Sequence, residues 1–119
     1  MSTFILLSLS HMDLNKVLLI GRATDNSEIK KIESNDSSVV NFVIVTNRKF
    51  KNKDNNVQEE AEYHRCVAYG TSADILAKYL HKGKRVYVEW RLRTRKRTDN
   101  AGLTKYSTEV IVTHFIFLD

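Results

Sequence analysis

Residues 60 to 83 read Glu60-Ala61-Glu62-Tyr63-His64-Arg65-Cys66-Val67-Ala68-Tyr69-Gly70, then Thr71-Ser72-Ala73-Asp74-Ile75-Leu76-Ala77-Lys78-Tyr79-Leu80-His81-Lys82-Gly83. In the first half Tyr63, Arg65 and Tyr69 share one parity while His64, Cys66 and Ala68 share the other. A period of two is that of a strand, and Gly70 breaks it. In the second half Ala73, Leu76, Ala77 and Leu80 fall at i, i+3, i+4 and i+7, the stripe of a helix packed on one face. Thr71 with Asp74 three residues on reads as a capping-box-like start. His81, Lys82 and Gly83 supply basic residues and a left-handed-compatible stop.

Upstream of this junction, Val17 to Ile20 is an apolar run stopped by Gly21, Glu28 to Glu33 alternates weakly, and Val39 to Val45 is rich in β-branched residues. Asn47 to Gln58 reads as a polar loop rich in lysine and asparagine. Downstream, Arg85 to Thr98 and Lys105 to Phe115 read as strands about an Asp99-Asn100-Ala101-Gly102 turn. Strands, a helix and then a hairpin predict an all-β domain with one helix, the helix closing one end of a small Greek-key barrel.

Composition sets the outer bounds. At 119 residues and 42% hydrophobic, the chain makes one domain with a small but sufficient core. Met1 to Ser10, with Phe4-Ile5-Leu6-Leu7, is too short to span a bilayer and lacks the basic start of a signal peptide. Residues 1 to 12 are therefore expected to be an extension, and 13 to 119 the folded domain. No membrane partner is expected. The lone Cys66 excludes an internal disulfide framework and fits a reducing compartment.

The 19 lysines and arginines against 14 acids give a net charge of +5, and the excess is locally concentrated. In Arg91-Leu92-Arg93-Thr94-Arg95-Lys96-Arg97, strand alternation puts Arg91, Arg93, Arg95 and Arg97 on one side, with no acid inside the run. Four guanidinium groups in a row invite a polyanion such as phosphate, although a basic strand also serves to protect a sheet edge. A second basic stretch, Arg48-Lys49-Phe50-Lys51, sets a phenylalanine among cations in a segment that makes no demand for a buried ring. Such a ring stacks on a base while its neighbours hold phosphates. Tyr63 and Tyr69, with Arg65 between them, are expected on the outside of the barrel, and Arg22 just beyond Gly21 joins the basic set.

These patterns resemble those of the bacterial-type single-stranded DNA-binding proteins. The resemblance runs through Asn15-Lys16-Val17-Leu18-Leu19-Ile20-Gly21, Asn41-Phe42 with Thr46, Glu62 to Gly70, Tyr79-Leu80 with Lys82-Gly83, and Val86-Tyr87-Val88-Glu89. It continues through Leu92-Arg93-Thr94-Arg95-Lys96 and Tyr106 with Thr108-Glu109-Val110, in the family's order over roughly residues 14 to 112. What it implies is a five-stranded OB-fold Greek-key barrel, a homotetramer, and sequence-tolerant binding of single-stranded DNA in replication, recombination and repair. It also implies a cytoplasmic, nucleoid-associated location or an organellar matrix. The family's stacking aromatics fall on Phe50, Tyr63 and Tyr69, and His64 matches a histidine at a subunit contact.

Three departures stand out. Arg97 occupies a position where the family usually has Trp; its guanidinium plane still lies on a base, with more salt dependence and less stacking. Trp90 replaces a small residue, usually Gly, and points away from the arginine face as a packing or interface residue that disturbs the local strand path. The chain ends at Leu118-Asp119 with no proline, whereas family members commonly carry a flexible tail with an acidic tip. Taken as complete, it would coat DNA without tail-dependent protein partners.

Catalysis finds little footing. His11, His64, His81 and His114 have no metal-ligand spacing and Cys66 has no cysteine partner, so neither metal nor cofactor is expected. Two other readings stay open. A nuclease on a similar barrel would draw on Glu59, Glu60 and Glu62. A primosome-type, RNA-binding or protein-binding barrel would be dimeric or indifferent to strandedness.

Overall fold

The computed structural model describes residues 13–25, 28–32 and 37–119; the expected extension at residues 1 to 12 lies outside them. Among these residues the strands are β1 (Val17–Ala23), β2 (Glu28–Ile32), β3 (Ser37–Lys51), β4 (Val57–Tyr69), β5 (Arg85–Thr98) and β6 (Thr104–Phe117), and a helix, α1 (Gly70–Tyr79), lies between β4 and β5. The sheet order is β1-β5-β6-β4-β3-β2, and a further β1–β3 pairing closes it. Both β1 and β2 run along the same edge of β3, at Arg22 and Ala23 against Val45 and Ile44, then at Glu28–Ile32 against Asn41–Ser37. Both pair antiparallel with β3 and count as one stave, so the barrel has five, as the family resemblance implies. Parallel pairing of Cys66 with Val110 and Val67 with Ile111 seals β4 to β6.

Gly21 does not stop β1, contrary to its reading as a breaker. The strand runs through it, pairing with β5 at Gly21 opposite Val86 and Arg22 opposite Arg85, and gaining β3 as a second partner at Arg22 opposite Val45. A Cβ at Gly21 would lie 2.4 Å from both Ile44 Cγ2 and the Val45 carbonyl oxygen, so only glycine permits that close crossing. Asn15 continues the β1–β5 ladder with its side chain, which donates to the Leu92 carbonyl at 2.8 Å and accepts from the Leu92 N–H at 3.0 Å.

Inward-facing residues fill the barrel: Val40, Phe42 and Ile44 from β3, Cys66 and Ala68 from β4, Val86 and Val88 from β5, and Val110 and Val112 from β6. Ala73, Leu76 and Leu80 of the helical stripe plug one end, as their spacing requires. The expected Thr71–Asp74 box does not form. Tyr69 is the N-cap and makes no side-chain capping bond. Asp74 instead accepts from the Ser38 hydroxyl at 2.6 Å, tying the helix to β3. Gly83 is not the stop that its position predicts: the helix already ends at Leu80, an extended C-cap, and Gly83, with φ +86°, lies in the turn beyond it, where the Lys84 N–H donates to the His81 carbonyl at 2.9 Å.

The polar loop read at Asn47 to Gln58 is also corrected. Both strands continue into it as a hairpin arm, with Arg48 opposite Glu60 and Lys49 opposite Glu59, and only residues 52–56 turn. Opposite charges across the ladder stabilise what composition alone marks as loop. Asn52 Oδ1 accepts from the N–H groups of Asp54 and Asn56, both at 3.0 Å, and Asn55 takes φ +63°. A second arm is formed by β5 and β6 about Asp99, whose carboxylate accepts from the Ala101 and Leu103 N–H groups.

Candidate nucleic-acid interface

On β5, Val86 and Val88 point into the barrel, so strand alternation turns Arg91, Arg93, Arg95 and Arg97 outward together. The row is not free of acid, as its own sequence implied. Glu109 of β6 sits directly opposite Arg93 and is buried. Arg93 Nε donates to Glu109 Oε1 at 3.0 Å, and Arg95 Nε lies 3.6 Å from the same oxygen. Arg93 Nη2 donates to that oxygen too, at 2.5 Å, and to the Tyr69 hydroxyl at 2.6 Å, with the guanidinium carbon 5.5 Å from the Tyr69 ring centroid. Hydrogen bonds from Glu109 and then Tyr69 push the Arg93 guanidinium above its ordinary value, so it stays charged. One carboxylate thus fixes the direction of two arginines, and one arginine fixes a tyrosine.

On β4 the outward parity carries Tyr63, Arg65 and Tyr69, as predicted, while Cys66 and Ala68 are buried. Arg65 donates across to the Ser107 hydroxyl of β6 at 3.2 Å, joining the two strands' outer faces. Arg22 lies opposite Val45, which lies opposite Tyr63. That row puts Arg22 two strand spacings from Tyr63, about 10 Å. Its guanidinium donates to the Gly83 carbonyl at 3.0 Å. Arg97 is exposed near the tip of the second arm, opposite Lys105.

Phe50 is brought to a different face. It shares the parity of Phe42 and Ile44, continued beyond the barrel, with the Arg48 guanidinium 4.5 Å from its ring centroid and 3.9 Å from Glu60. Lys49 and Lys51 lie on the opposite side of that arm, the side of Tyr63. The aromatic and basic set therefore wraps round the first arm.

Trp90 does sit on the face away from the arginines, and it is 42% exposed. The β5–β6 register shifts between Glu89 and Trp90, the disturbed strand path expected of a bulky residue there. His64 is half-buried, with its ring nitrogen 2.8 Å from the Thr46 hydroxyl. Cys66 is buried, which pushes its thiol up to about 12 and leaves it unreactive. Glu60 and Glu62 share one face of β4 and Glu59 takes the other. Among the described residues no group of three His, Cys, Asp or Glu side chains is placed to hold a metal ion, and no helix is long and apolar enough to cross a membrane.

A closed five-stranded barrel with one capping helix, its outer face interleaving tyrosines and arginines, has the architecture of an OB-fold binding module. Residues 14–118 match the model of the Single-strand binding protein family, and the chain belongs to that family. Over 101 residues, 84% of this chain, it is 48% identical to "Single-stranded DNA-binding protein 1" of Chlorobaculum tepidum. The chain covers 62% of that relative's length. Its fold is similar to that of a Plasmodium falciparum SSB solved in complex with ssDNA, with a TM-score of 0.82 and 36% identity, covering 92% of this chain and 98% of that one.

The signal for Glu109 was present in the sequence. Counting outward from the Asp99–Gly102 turn, with Thr98 opposite Thr104, sets Arg93 opposite Glu109.

Proposed function

We propose that this protein binds single-stranded DNA with little regard to sequence, protecting it in replication, recombination and repair at the nucleoid or in an organellar matrix. Bases stack on Phe50, Tyr63 and Tyr69. Phosphates are held by Arg22, Arg48, Lys49, Lys51 and Arg65 and by the β5 row Arg91, Arg93, Arg95 and Arg97. The observation that carries this reading is the outer face of β4 and β5, where exposed Tyr63 and Tyr69 alternate with guanidinium groups already aimed by Glu109. Aromatic stacking needs unpaired bases, which makes the preference one for single strands over duplex.

The same reading includes a homotetramer. Its support is an apolar row on the outside of β1, β5 and β6, where Ile20 faces Tyr87 and Tyr87 faces Ile116; Leu18, Ile20 and Ile116 are 58%, 49% and 49% exposed. An exposed apolar row with the bonded Lys16–Glu89–Tyr87 set beside it fits a surface that meets another copy. His64 is a further subunit contact in this proposal.

Anisotropy of labelled single-stranded, duplex and RNA oligonucleotides over a salt series, with the mass taken in the same buffer, tests both parts. Tight, salt-sensitive, single-strand-selective binding by a tetramer is expected. Equal affinity for duplex or RNA, or a dimer, points to a binding module of another kind. Magnesium-dependent loss of the labelled strand points to a nuclease.

A further inference from the structure

Among the described residues Glu109 is the one charged side chain that the fold buries, at 7% exposure. Its Oε1 accepts from Arg93 Nη2 at 2.5 Å and from Arg93 Nε at 3.0 Å, and Arg95 Nε lies 3.6 Å away. Arg93 also reaches over β6 to the Tyr69 hydroxyl of β4, so a single oxygen orders two guanidinium groups and an aromatic ring across three adjacent strands. Taking a carboxylate out of water is costly, and the hairpin does not call for one: Thr94 faces Thr108 and Arg95 faces Ser107 in the same ladder without an acid. A buried ion pair is a weak source of stability and is better suited to fixing one arrangement against others. The arrangement fixed here lies on the outward face of β4 and β5.

We infer that Glu109 is a positioning residue that makes this face selective for single strands: it holds Arg93, Arg95 and Tyr69 as one unit and cancels one of the two guanidinium charges. The role rests on the single-strand binding proposed above. A duplex offers the face phosphates alone, with its bases stacked inside, so duplex affinity follows the number of cations free to neutralise phosphates. Arginines on untied, flexible stems adapt to any phosphate spacing. Tied to Glu109, Arg93 uses its Nε and Nη2 hydrogens internally and, among the described residues, keeps Nη1 for a phosphate oxygen. The carbon of that guanidinium is 5.5 Å from the Tyr69 ring centroid, so a phosphate that reaches Nη1 brings its own base to the ring. An unpaired base can turn onto the ring and a paired one cannot. The tie also orders these side chains before a strand arrives, which removes part of the entropy cost of binding. Glu109 therefore lowers affinity for phosphate in general and keeps it for phosphate with an unpaired base attached.

Anisotropy with labelled oligo-dT and a labelled duplex of equal length, over a salt series, compares wild type with Glu109→Gln and Tyr69→Phe, and cooperative unfolding is followed in the same buffer. Glu109→Gln keeps the acceptor and the volume and loses the charge. It is expected to steepen the single-strand salt slope by about 0.7 and the duplex slope by about 0.9, and to raise duplex affinity roughly 5- to 10-fold near ~0.1 M salt. The ratio of single-strand to duplex affinity is expected to fall. Tyr69→Phe keeps both the ring and the carboxylate and unties one from the other; single-strand affinity is expected to fall roughly 2- to 10-fold, with salt slopes and duplex affinity unchanged. A merely structural Glu109 would lower the unfolding midpoint of Glu109→Gln and move neither slope nor ratio. That result, or wild-type single-strand affinity in Tyr69→Phe, overturns the inference and leaves single-strand binding standing. Should Glu109→Gln fail to fold, Tyr69→Phe alone decides. Failure of the wild type to prefer single strands overturns both.

Discussion

The barrel body and the two arms divide the chain's chemistry. In the body, Val40, Ile44, Leu76, Leu80, Val86, Val88 and Val112 are fully buried. In the arms, residues 47–61 and 92–106 are exposed or at most half-buried, yet they hold Phe50, Arg48, Arg93, Arg95, Arg97 and Tyr106. The arms are strands because β3–β4 and β5–β6 pairing extends past the barrel, not because they enclose a core. Side chains there are free of packing demands and are chosen by what they meet in solvent. Changes in the body should therefore register as lost stability, and changes in the arms as lost affinity.

The largest effect is expected in the body. Leu76→Ala empties part of the helix plug and should cost about 2–5 kcal/mol of unfolding free energy by denaturant titration; tolerance of it would break the division at once. Gly21→Ala should follow, at about 1–3 kcal/mol, because its Cβ would meet Ile44 and the Val45 carbonyl at 2.4 Å. Tyr63→Ala should weaken single-strand binding by roughly 1–3 kcal/mol while leaving the denaturant midpoint in place. A fall in the midpoint would make Tyr63 part of the core instead.

Smaller effects sharpen the electrostatics. Arg93→Ala with Arg95→Ala should flatten the salt slope by up to about 1.4, two phosphates at ~0.7 each. A smaller change would mean that Glu109 keeps these guanidinium groups as internal partners when DNA is bound. The smallest effect belongs to the exposed Lys16–Glu89–Tyr87 set. The hydrogen bond from Lys16, then that from Tyr87, hold the Glu89 carboxyl below its ordinary 4.5. A lowered folded value means that the contribution is present in full above 4.5 and fades as pH falls through that lowered value. Lys16→Met should reduce this acid-side slope, leaving the part due to Tyr87, with only a small loss of stability near neutral pH because the pair is exposed.

Much of the body was legible in the residues. The 3.6-residue stripe of Ala73, Leu76, Ala77 and Leu80 and the parity of Cys66 and Ala68 both follow from burial, which leaves a periodic trace. The first arm was not legible as strand. Its lysines and asparagines follow loop composition, and what orders them is pairing with residues about ten positions away, Lys49 with Glu59 and Arg48 with Glu60. Gly21 misled for a related reason, since its close approach to β3 is a tertiary contact invisible in a local window. For the site, the outward arginines and tyrosines were read from alternation alone. The clamp of Glu109 on Arg93 needed the hairpin register.

The division between body and arms is tested most directly by one protein carrying Phe50→Ala, Tyr63→Ala, Lys49→Ala and Arg97→Ala, all outside the Glu109 ion pairs, measured for cooperative thermal unfolding and for single-strand affinity in the same buffer. The expected result is a folded barrel with a transition close to that of the wild type and single-strand binding reduced by orders of magnitude. Retained affinity, or loss of the cooperative transition, would contradict it.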